Sequence, residues 1–133
     1  MKKLRPYLVR PPRVYRWLFP EAIFRVDTTD KVVYLTFDDG PHPEATPFVL
    51  DVLKSNNVKA TFFLLGKNAI EHRELVQMIK DEGHAIGNHG MEHLNGWKVG
   101  VERYLADHGQ GKSTIGSSLF RPAYGKIRPS QYN

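Results

Sequence analysis

The chain has 133 residues, enough for one domain with a buried core, and its 41% hydrophobic and 25% charged content is ordinary for a globular protein. It contains no cysteine, which excludes disulfide bonds and thiolate metal sites, so any metal must be held by histidine or carboxylate side chains. The net charge of +5 favours acidic partners. No stretch approaches the roughly 20 apolar residues that cross a bilayer, and the N-terminus lacks a signal-peptide core, so we expect no membrane span and a cytoplasmic location by default.

Residues 1–30 are predicted to form a basic N-terminal arm, and residues 31–133 the main domain. The cationic residues of the arm meet no acidic residue before Glu21, and its prolines interrupt any long helix. A charge run of this kind is typical of a solvated tail. We expect an irregular arm whose apolar residues pack onto the domain. These residues are Trp17, Leu18, Phe19, Ile23 and Phe24.

Strand and helix patterns alternate from residue 31 onwards. Lys31–Phe37 reads KVVYLTF, a nearly continuous β-favouring run that predicts a parallel strand buried on both faces. Two further strands are predicted at 58–65 and 84–87, and a fourth begins at 118–121. Helices are predicted at 44–57 and 99–115. A third helix is predicted between them, capped by Asn68 and stopped by Gly83. This alternation predicts an α/β fold with parallel strands and right-handed crossover helices.

Polar residues follow the first and third predicted strands, at the sheet edge where α/β proteins place their active sites. Asp38 and Asp39 are adjacent carboxylates that a nearby cation would stabilise, although Asp-Gly-Pro is also good turn chemistry. His89 and His93 have the spacing that puts two imidazoles on one face of a helical turn, but Gly90 leaves that helical geometry open. Two histidines and one aspartate would make an open zinc site.

Three segments together carry a family resemblance. Thr36–Pro41 reads TFDDGP, His89–His93 reads HGMEH, and Phe120–Gly125 reads FRPAYG. In this order they resemble the first three motifs of the polysaccharide deacetylases, the NodB-homology or carbohydrate esterase family four enzymes. The ATFF of Ala60–Phe63 is similar to a further element of that family. The resemblance runs from about Val32 to Tyr132.

The resemblance implies a distorted (β/α) barrel and a hydrolase that removes N- or O-acetyl groups from a polysaccharide or oligosaccharide. It implies Asp38 as the general base, Arg121 as the group that orients this base, and the backbone N–H of Tyr124 as an oxyanion donor. The cofactor implied is a divalent metal, usually zinc. The implied metal ligands are Asp39, His89 and His93. The expected partner is an acetylated glycan, with no nucleic acid, and the oligomeric state stays open.

The sequence also departs from the family pattern. Within its 133 residues we find neither the late Leu-x-His motif that supplies the family's general acid nor the Asp-containing motif that tunes it. The resemblance therefore implies a partial barrel whose C-terminal part is missing. Gly90 stands where the family has a hydroxyl residue, and Ala123 stands where it has a second proline. The remaining histidines that could act as the acid are His42, His72, His84 and His108.

Three alternative functions are considered. A catalytically defective fragment would bind metal or glycan without turnover. Residues 106–113, ADHGQGKS, fit a relaxed phosphate-loop pattern, but they do not follow a buried strand as a true phosphate loop does. A nucleic-acid binder is suggested by the basic arm, in which Tyr7, Tyr15 and Trp17 interleave with the cations, although we recognise no nucleic-acid module.

Overall fold

A computed structural model describes residues 12–132 of the chain. Its sheet contains three strands, β1 (Thr36–Asp38), β2 (Thr61–Leu64) and β3 (Ala85–Asn88), in the order β1-β2-β3. The helices are α1 (Arg13–Leu18), α2 (Ala45–Ser55), α3 (Gly66–Glu71), α4 (Arg73–Asp81), α5 (Val101–Ile115) and α6 (Pro129–Tyr132), and a 3₁₀ turn covers Ala123–Gly125.

Both strand pairs are parallel, which confirms the predicted α/β class. Phe37 lies opposite Phe62, and Phe63 lies opposite Gly87. The predicted fourth strand is reduced to one parallel bridge between Asn88 and Phe120. This bridge still positions the segment after Phe120 beside the carboxyl end of β3, where it can contribute to a site.

The core lies between the sheet and the helices that connect its strands. Helix α4 shows how the sequence builds it, because Leu75 and Ile79 are four residues apart and both point inward. Burying a side chain of this size contributes about 1.5–3 kcal/mol. The buried residues of the main cluster are Leu50, Leu53, Ala60, Phe62, Leu64, Ala69, Ile79 and Ile115.

The prediction of a strand buried on both faces over 31–37 was wrong for most of its length. Strand β1 begins only at Thr36, and Val33 is 82% exposed. Among residues 12–132, β1 pairs with a strand on one side only, and residues 31–35 ahead of it are all exposed to solvent. A run of apolar residues indicates a strand, but it does not show whether other elements pack over that strand and bury it.

The N-terminal arm differs from its prediction in two respects. A short helix, α1, begins after Pro12, at a position where a proline's missing N–H costs no hydrogen bond. Phe19 is buried and packs edge-on against Tyr132, with ring centroids 5.1 Å apart, but Trp17 and Ile23 are largely exposed. Only part of the arm's apolar surface therefore packs as expected. Residues 1–11, with Tyr7 and four of the arm's cations, lie outside the described residues.

The helix predicted between Asn68 and Gly83 is divided into α3 and α4 at His72. The backbone of His72 is not helical (φ −124°, ψ 55°), and Asn68 lies inside α3 rather than capping it. Gly83 has a left-handed backbone (φ 75°) and follows the end of α4, as predicted for a helix stop.

Helix α5 runs through the segment that fitted a phosphate-loop pattern. Residues 106–113 lie within Val101–Ile115, and Asp107 and Gly111 are buried against the rest of the molecule. A continuous helix offers no loop to surround a phosphate, so this alternative is not supported. Among residues 12–132, no helix combines the length and the apolar character needed to cross a membrane.

Candidate metal centre

The side chains predicted to act together gather in one pocket at the carboxyl edge of the sheet. Asp38 ends β1, His89 follows β3, and Arg121 follows the bridge at Phe120. The pocket has a volume of about 380 Å³. Its lining residues are Asp38, Asp39, His89, His93, Arg121, Pro122, Tyr124 and Gly125.

Asp39, His89 and His93 form a compact group of potential metal ligands. Oδ1 of Asp39 lies 3.4 Å from Nε2 of His89 and 3.1 Å from Nε2 of His93. All three ligand atoms lie within 4.8 Å of one another, and within the described part of the chain this is the one cluster of its kind. The three residues that the motifs were expected to bring together therefore lie close to one another in the structure.

His89 is held in a defined orientation. Its side chain is only 4% exposed, and Nδ1 lies 2.7 Å from the carbonyl oxygen of Arg121. Because a carbonyl can only accept a hydrogen bond, Nδ1 is the donor here, and Nε2 faces Oδ1 of Asp39. A metal-binding histidine is commonly oriented by a partner of this type on its other ring nitrogen.

His93 reaches the group without a helix. Residues 89–93 follow a bend in which Gly90 (φ 90°) and His93 (φ 58°) both have left-handed backbone. The ring centroids of His89 and His93 are nevertheless 5.1 Å apart. The helical-turn explanation of their spacing was therefore wrong, although the expected proximity of the two imidazoles is present.

Asp38 is paired with Arg121 beside this group. Nη1 of Arg121 lies 2.7 Å from Oδ1 of Asp38 and donates a second hydrogen bond, 2.8 Å long, to Oγ1 of Thr36. The guanidinium carbon also lies 4.0 Å from the ring centroid of Phe63, a cation–π contact. These three contacts fix the arginine and, through it, one oxygen of the aspartate.

Tyr124 lies in the 3₁₀ turn and lines the pocket. Its backbone is left-handed (φ 59°), and its exposed ring packs against His93 with centroids 4.5 Å apart. The turn therefore places the ring of Tyr124 against His93 in the pocket. Ala123, which stands where the family has proline, is buried in the same turn.

Comparison with known proteins decides the family. A sequence profile described as polysaccharide deacetylase matches residues 25–131. The chain belongs to the polysaccharide deacetylase family. The match covers the sheet, the pocket and every residue predicted to act in it.

Individual relatives agree with this assignment. A peptidoglycan-N-acetylglucosamine deacetylase of Bacillus cereus is 45% identical over 105 residues, which cover 74% of this chain and 38% of the relative. A chitooligosaccharide deacetylase of Rhizobium leguminosarum bv. trifolii is 50% identical over 91 residues, which cover 68% of this chain and 38% of the relative.

A solved structure gives the same result for the fold. The peptidoglycan deacetylase PdaC from Bacillus subtilis matches with a TM-score of 0.73 and 35% identity, over 80% of this chain and 55% of that chain. This confirms the predicted NodB-like α/β fold. The polysaccharide deacetylase chain described here spans only 38% to 55% of the length of these three proteins.

The four histidines considered for the general acid do not line the pocket of this family member. His42 uses Nδ1 to accept hydrogen bonds from the N–H groups of Glu44 and Ala45, ahead of α2. His72 lies between α3 and α4. Among the described residues, the only histidines of the pocket are therefore the two that lie beside Asp39.

The other two candidates, buried His84 and half-buried His108, lie elsewhere. His84 lies just before the amino end of β3, opposite the pocket, where burial and the nearby charge of Lys59 lower its pKa. His108 lies on α5 and packs edge-on against the ring of Phe120, and burial lowers the pKa of its imidazole. Neither imidazole lines the pocket, and Nε2 of His84 is buried with no hydrogen-bond partner among residues 12–132.

Sequence reasoning missed two residues that support the site. Asp107 accepts hydrogen bonds from the backbone of the 89–93 loop, and Asn68 donates one, 2.8 Å long, to the carbonyl of Asp39. Asp107 also explains the departure at Gly90, because a Cβ there would lie 2.6 Å from Oδ2 of Asp107. Both residues bond to main-chain atoms from helices distant in sequence, so no motif or spacing could have revealed them.

Proposed function

We propose that this chain carries the metal-binding and general-base part of a deacetylase centre that hydrolyses N- or O-acetyl groups of a glycan. In this proposal Asp39, His89 and His93 hold a divalent metal, zinc in the first instance. The observation that carries the proposal is the convergence of these three side chains beside the Asp38–Arg121 pair. Two relatives are named as deacetylases of peptidoglycan N-acetylglucosamine and of chitooligosaccharide, which supports an acetylated sugar as the substrate.

The residues fit a zinc ion in both chemistry and spacing. Zinc accepts imidazole nitrogen and carboxylate oxygen at roughly 2.0–2.2 Å, so neighbouring ligand atoms of a tetrahedral site lie roughly 3.3–3.5 Å apart. The separations of 3.4 Å and 3.1 Å between Asp39 Oδ1 and the two histidine nitrogens are close to this value. Three protein ligands leave a fourth position open, as in catalytic zinc sites.

A zinc ion bound there would supply Lewis acidity and would lower the pKa of a bound water to about 7. Asp38 is placed to act as the general base, taking a proton from the water as its oxygen attacks the acetyl carbon. Arg121 holds Oδ1 of Asp38, and within residues 12–132 no hydrogen bond engages Oδ2. Oδ2 is therefore the oxygen available to receive the proton.

The main chain at Tyr124 has a second part in the proposal. The acetyl carbonyl oxygen gains negative charge as the tetrahedral species forms, and a preorganised N–H directed at it lowers the barrier. Tyr124 has a left-handed backbone, lines the same pocket as Asp38, and packs its ring against His93. We assign its main-chain N–H to the oxyanion, as the family resemblance implies.

A second candidate function is binding of metal or glycan without turnover. It is favoured by one observation, that no described histidine other than the two proposed ligands lines the pocket. Departure of the amine requires a proton, and general acid catalysis contributes about 10²–10⁴-fold to such reactions. If Asp38 or water returns the proton in this chain, turnover remains, but slowly.

Acetate release from acetylated glycans separates the two functions. The panel contains chitin oligosaccharides, peptidoglycan and acetylxylan, with and without added zinc, and Asp38→Asn is the control. We expect zinc-dependent release that falls about 10²–10⁴-fold in Asp38→Asn, the contribution of a general base. No release by a folded, zinc-binding chain would favour the binding function, and undiminished release by Asp38→Asn would exclude Asp38 as the base.

A further inference from the structure

Helix α5 places a buried carboxylate under the loop that carries the histidines. Asp107 is only 8% exposed. Its Oδ2 accepts a hydrogen bond of 3.0 Å from the N–H of Met91, and its Oδ1 accepts one of 2.9 Å from the N–H of Glu92. Both oxygens of one buried acid are thus directed at consecutive main-chain groups of the loop.

Two glycines allow this close approach. A Cβ on Gly90 would lie 2.6 Å from Oδ2 of Asp107. A Cβ on Gly111, one turn further along α5, would lie 2.8 Å from the carbonyl carbon of Gly90. A side chain at Gly111 would collide with the loop backbone, and one at Gly90 would displace the Asp107 carboxylate, so the contacts seen here depend on both glycines.

The hydrogen bonds of Asp107 act on one end of the proposed ligand set. His89 is oriented independently, by the carbonyl of Arg121. His93 follows Glu92 directly, has a left-handed backbone, and lies 3.1 Å from Asp39 through its Nε2. A non-glycine residue keeps such a conformation only when its surroundings impose it. The N–H groups held by Asp107 lie immediately before it in the chain.

We propose that Asp107 is a positioning residue for the metal centre. It fixes the main chain at Met91 and Glu92 so that the imidazole of His93 is directed at Asp39 and His89. The proposal rests on the proposed metal-binding function, but the two hydrogen bonds from the loop amides to Asp107 are present without metal. Those amides therefore provide a readout that does not depend on activity.

The test uses Asp107→Asn in the full chain. An asparagine has one acceptor oxygen and one donor amide, so it keeps the size of the side chain but cannot accept from both loop N–H groups. The matched control is Glu102→Gln, which removes one charge from an exposed position of the same helix. Zinc affinity is measured by calorimetry, and amide hydrogen exchange at Met91 and Glu92 is measured without metal, together with the thermal unfolding midpoint.

We expect Asp107→Asn to expose the two amides to exchange and to weaken zinc binding about 10–100-fold, the cost typical of losing a group that orients a ligand. Glu102→Gln should match the wild type in both measurements. Protected amides with unchanged zinc affinity in Asp107→Asn would overturn the proposal, and so would equal weakening in both variants. Absence of zinc binding by the wild type would instead refute the proposed metal site, whatever the amides show.

Gly90→Ala provides a second route if Asp107→Asn does not fold. It leaves the carboxylate in place and introduces a methyl group 2.6 Å from Oδ2. We expect weaker zinc binding, and we expect the loss to be smaller when Asp107→Ala is already present, because the colliding atom is then gone. Strictly additive effects would show that the two positions are not coupled and would contradict the proposal.

Discussion

Left-handed backbone is concentrated at the pocket. Of the four non-glycine residues with positive φ among residues 12–132, Asp39, His93 and Tyr124 line it, and Asn57 is the exception. Each such residue costs of order 1–3 kcal/mol unless its neighbours compensate. The hydrogen bond from Asn68 to the Asp39 carbonyl is one compensating contact. The geometry of the centre is therefore imposed by surrounding residues.

Asp39→Asn tests the proposed ligand set at the scale of one atom. An amide oxygen is a weaker, uncharged ligand, so zinc affinity should fall by more than the roughly 10–100-fold expected for a group that only orients a ligand. Titration calorimetry with zinc measures the change. Asp38→Asn is the matched control, because it removes the neighbouring charge and should retain affinity. Equal affinities of wild type and Asp39→Asn would remove Asp39 from the ligand set.

The sequence predicted which side chains lie together better than it predicted how they are held. Three ordered motifs sufficed to group Asp39 with His89 and His93, because motif spacing reflects where the strands end. The route of the loop to His93 depends on Asp107, which approaches from a helix and bonds only to main chain. Hydrogen bonds to main-chain N–H groups do not depend on which side chains Met91 and Glu92 carry, so the sequence contains no pattern that predicts them.

At the scale of elements, periodicity located helices well and burial poorly. Helices α2 and α5 begin and end within about two residues of their predicted bounds. The division at His72 was not predicted, since no glycine or proline marks it. Residues 31–35 have the composition of a buried strand and are exposed, because burial is decided by elements distant in sequence.

Ile79→Ala tests the packing of α4 against the sheet. The side chain is fully buried in the main cluster, and replacing such a residue by alanine removes contacts and leaves a cavity. We expect the free energy of unfolding to fall by roughly 2–5 kcal/mol in urea titrations. Lys80→Ala, at the exposed neighbouring position, should change it by less than about 0.5 kcal/mol. Similar effects of the two changes would show that α4 does not pack as described.

His84 makes the stability of β3 and its surroundings dependent on pH. Burial, with help from Lys59, lowers the pKa of its imidazole in the folded chain, against a smaller opposing effect of Glu82. As the pH falls, the unfolded chain binds a proton first, near its ordinary pKa of about 6.5. The contribution of His84 is therefore complete above that value and is lost as the pH falls towards the lower folded-state pKa.

We accordingly expect the free energy of unfolding to decrease between about pH 7.5 and pH 5, and to decrease less in His84→Gln. Part of the dependence should remain in the variant, because burial also lowers the pKa of His108. Urea titrations at several pH values provide the comparison. A pH dependence identical to that of the wild type would assign the whole effect to other groups.

At the scale of the molecule, the sheet brings residues from three distant segments to one edge. Residues 38–39, 89–93 and 121–124 meet there because parallel strands end on the same side. The match to PdaC covers 55% of that chain, so these strands correspond to part of its fold.

The division of the chain at residue 30 stays a prediction. The packing of Phe19 on Tyr132 connects the arm to the domain.

We propose that a metal ion binds between Asp39, His89 and His93. Anomalous diffraction at the zinc absorption edge, from crystals grown with zinc, would locate it. We expect one strong peak at roughly 2.0–2.2 Å from the Asp39 carboxylate and from Nε2 of both histidines. A fully occupied zinc peak elsewhere, or no peak beside these three side chains at saturating zinc, would contradict it.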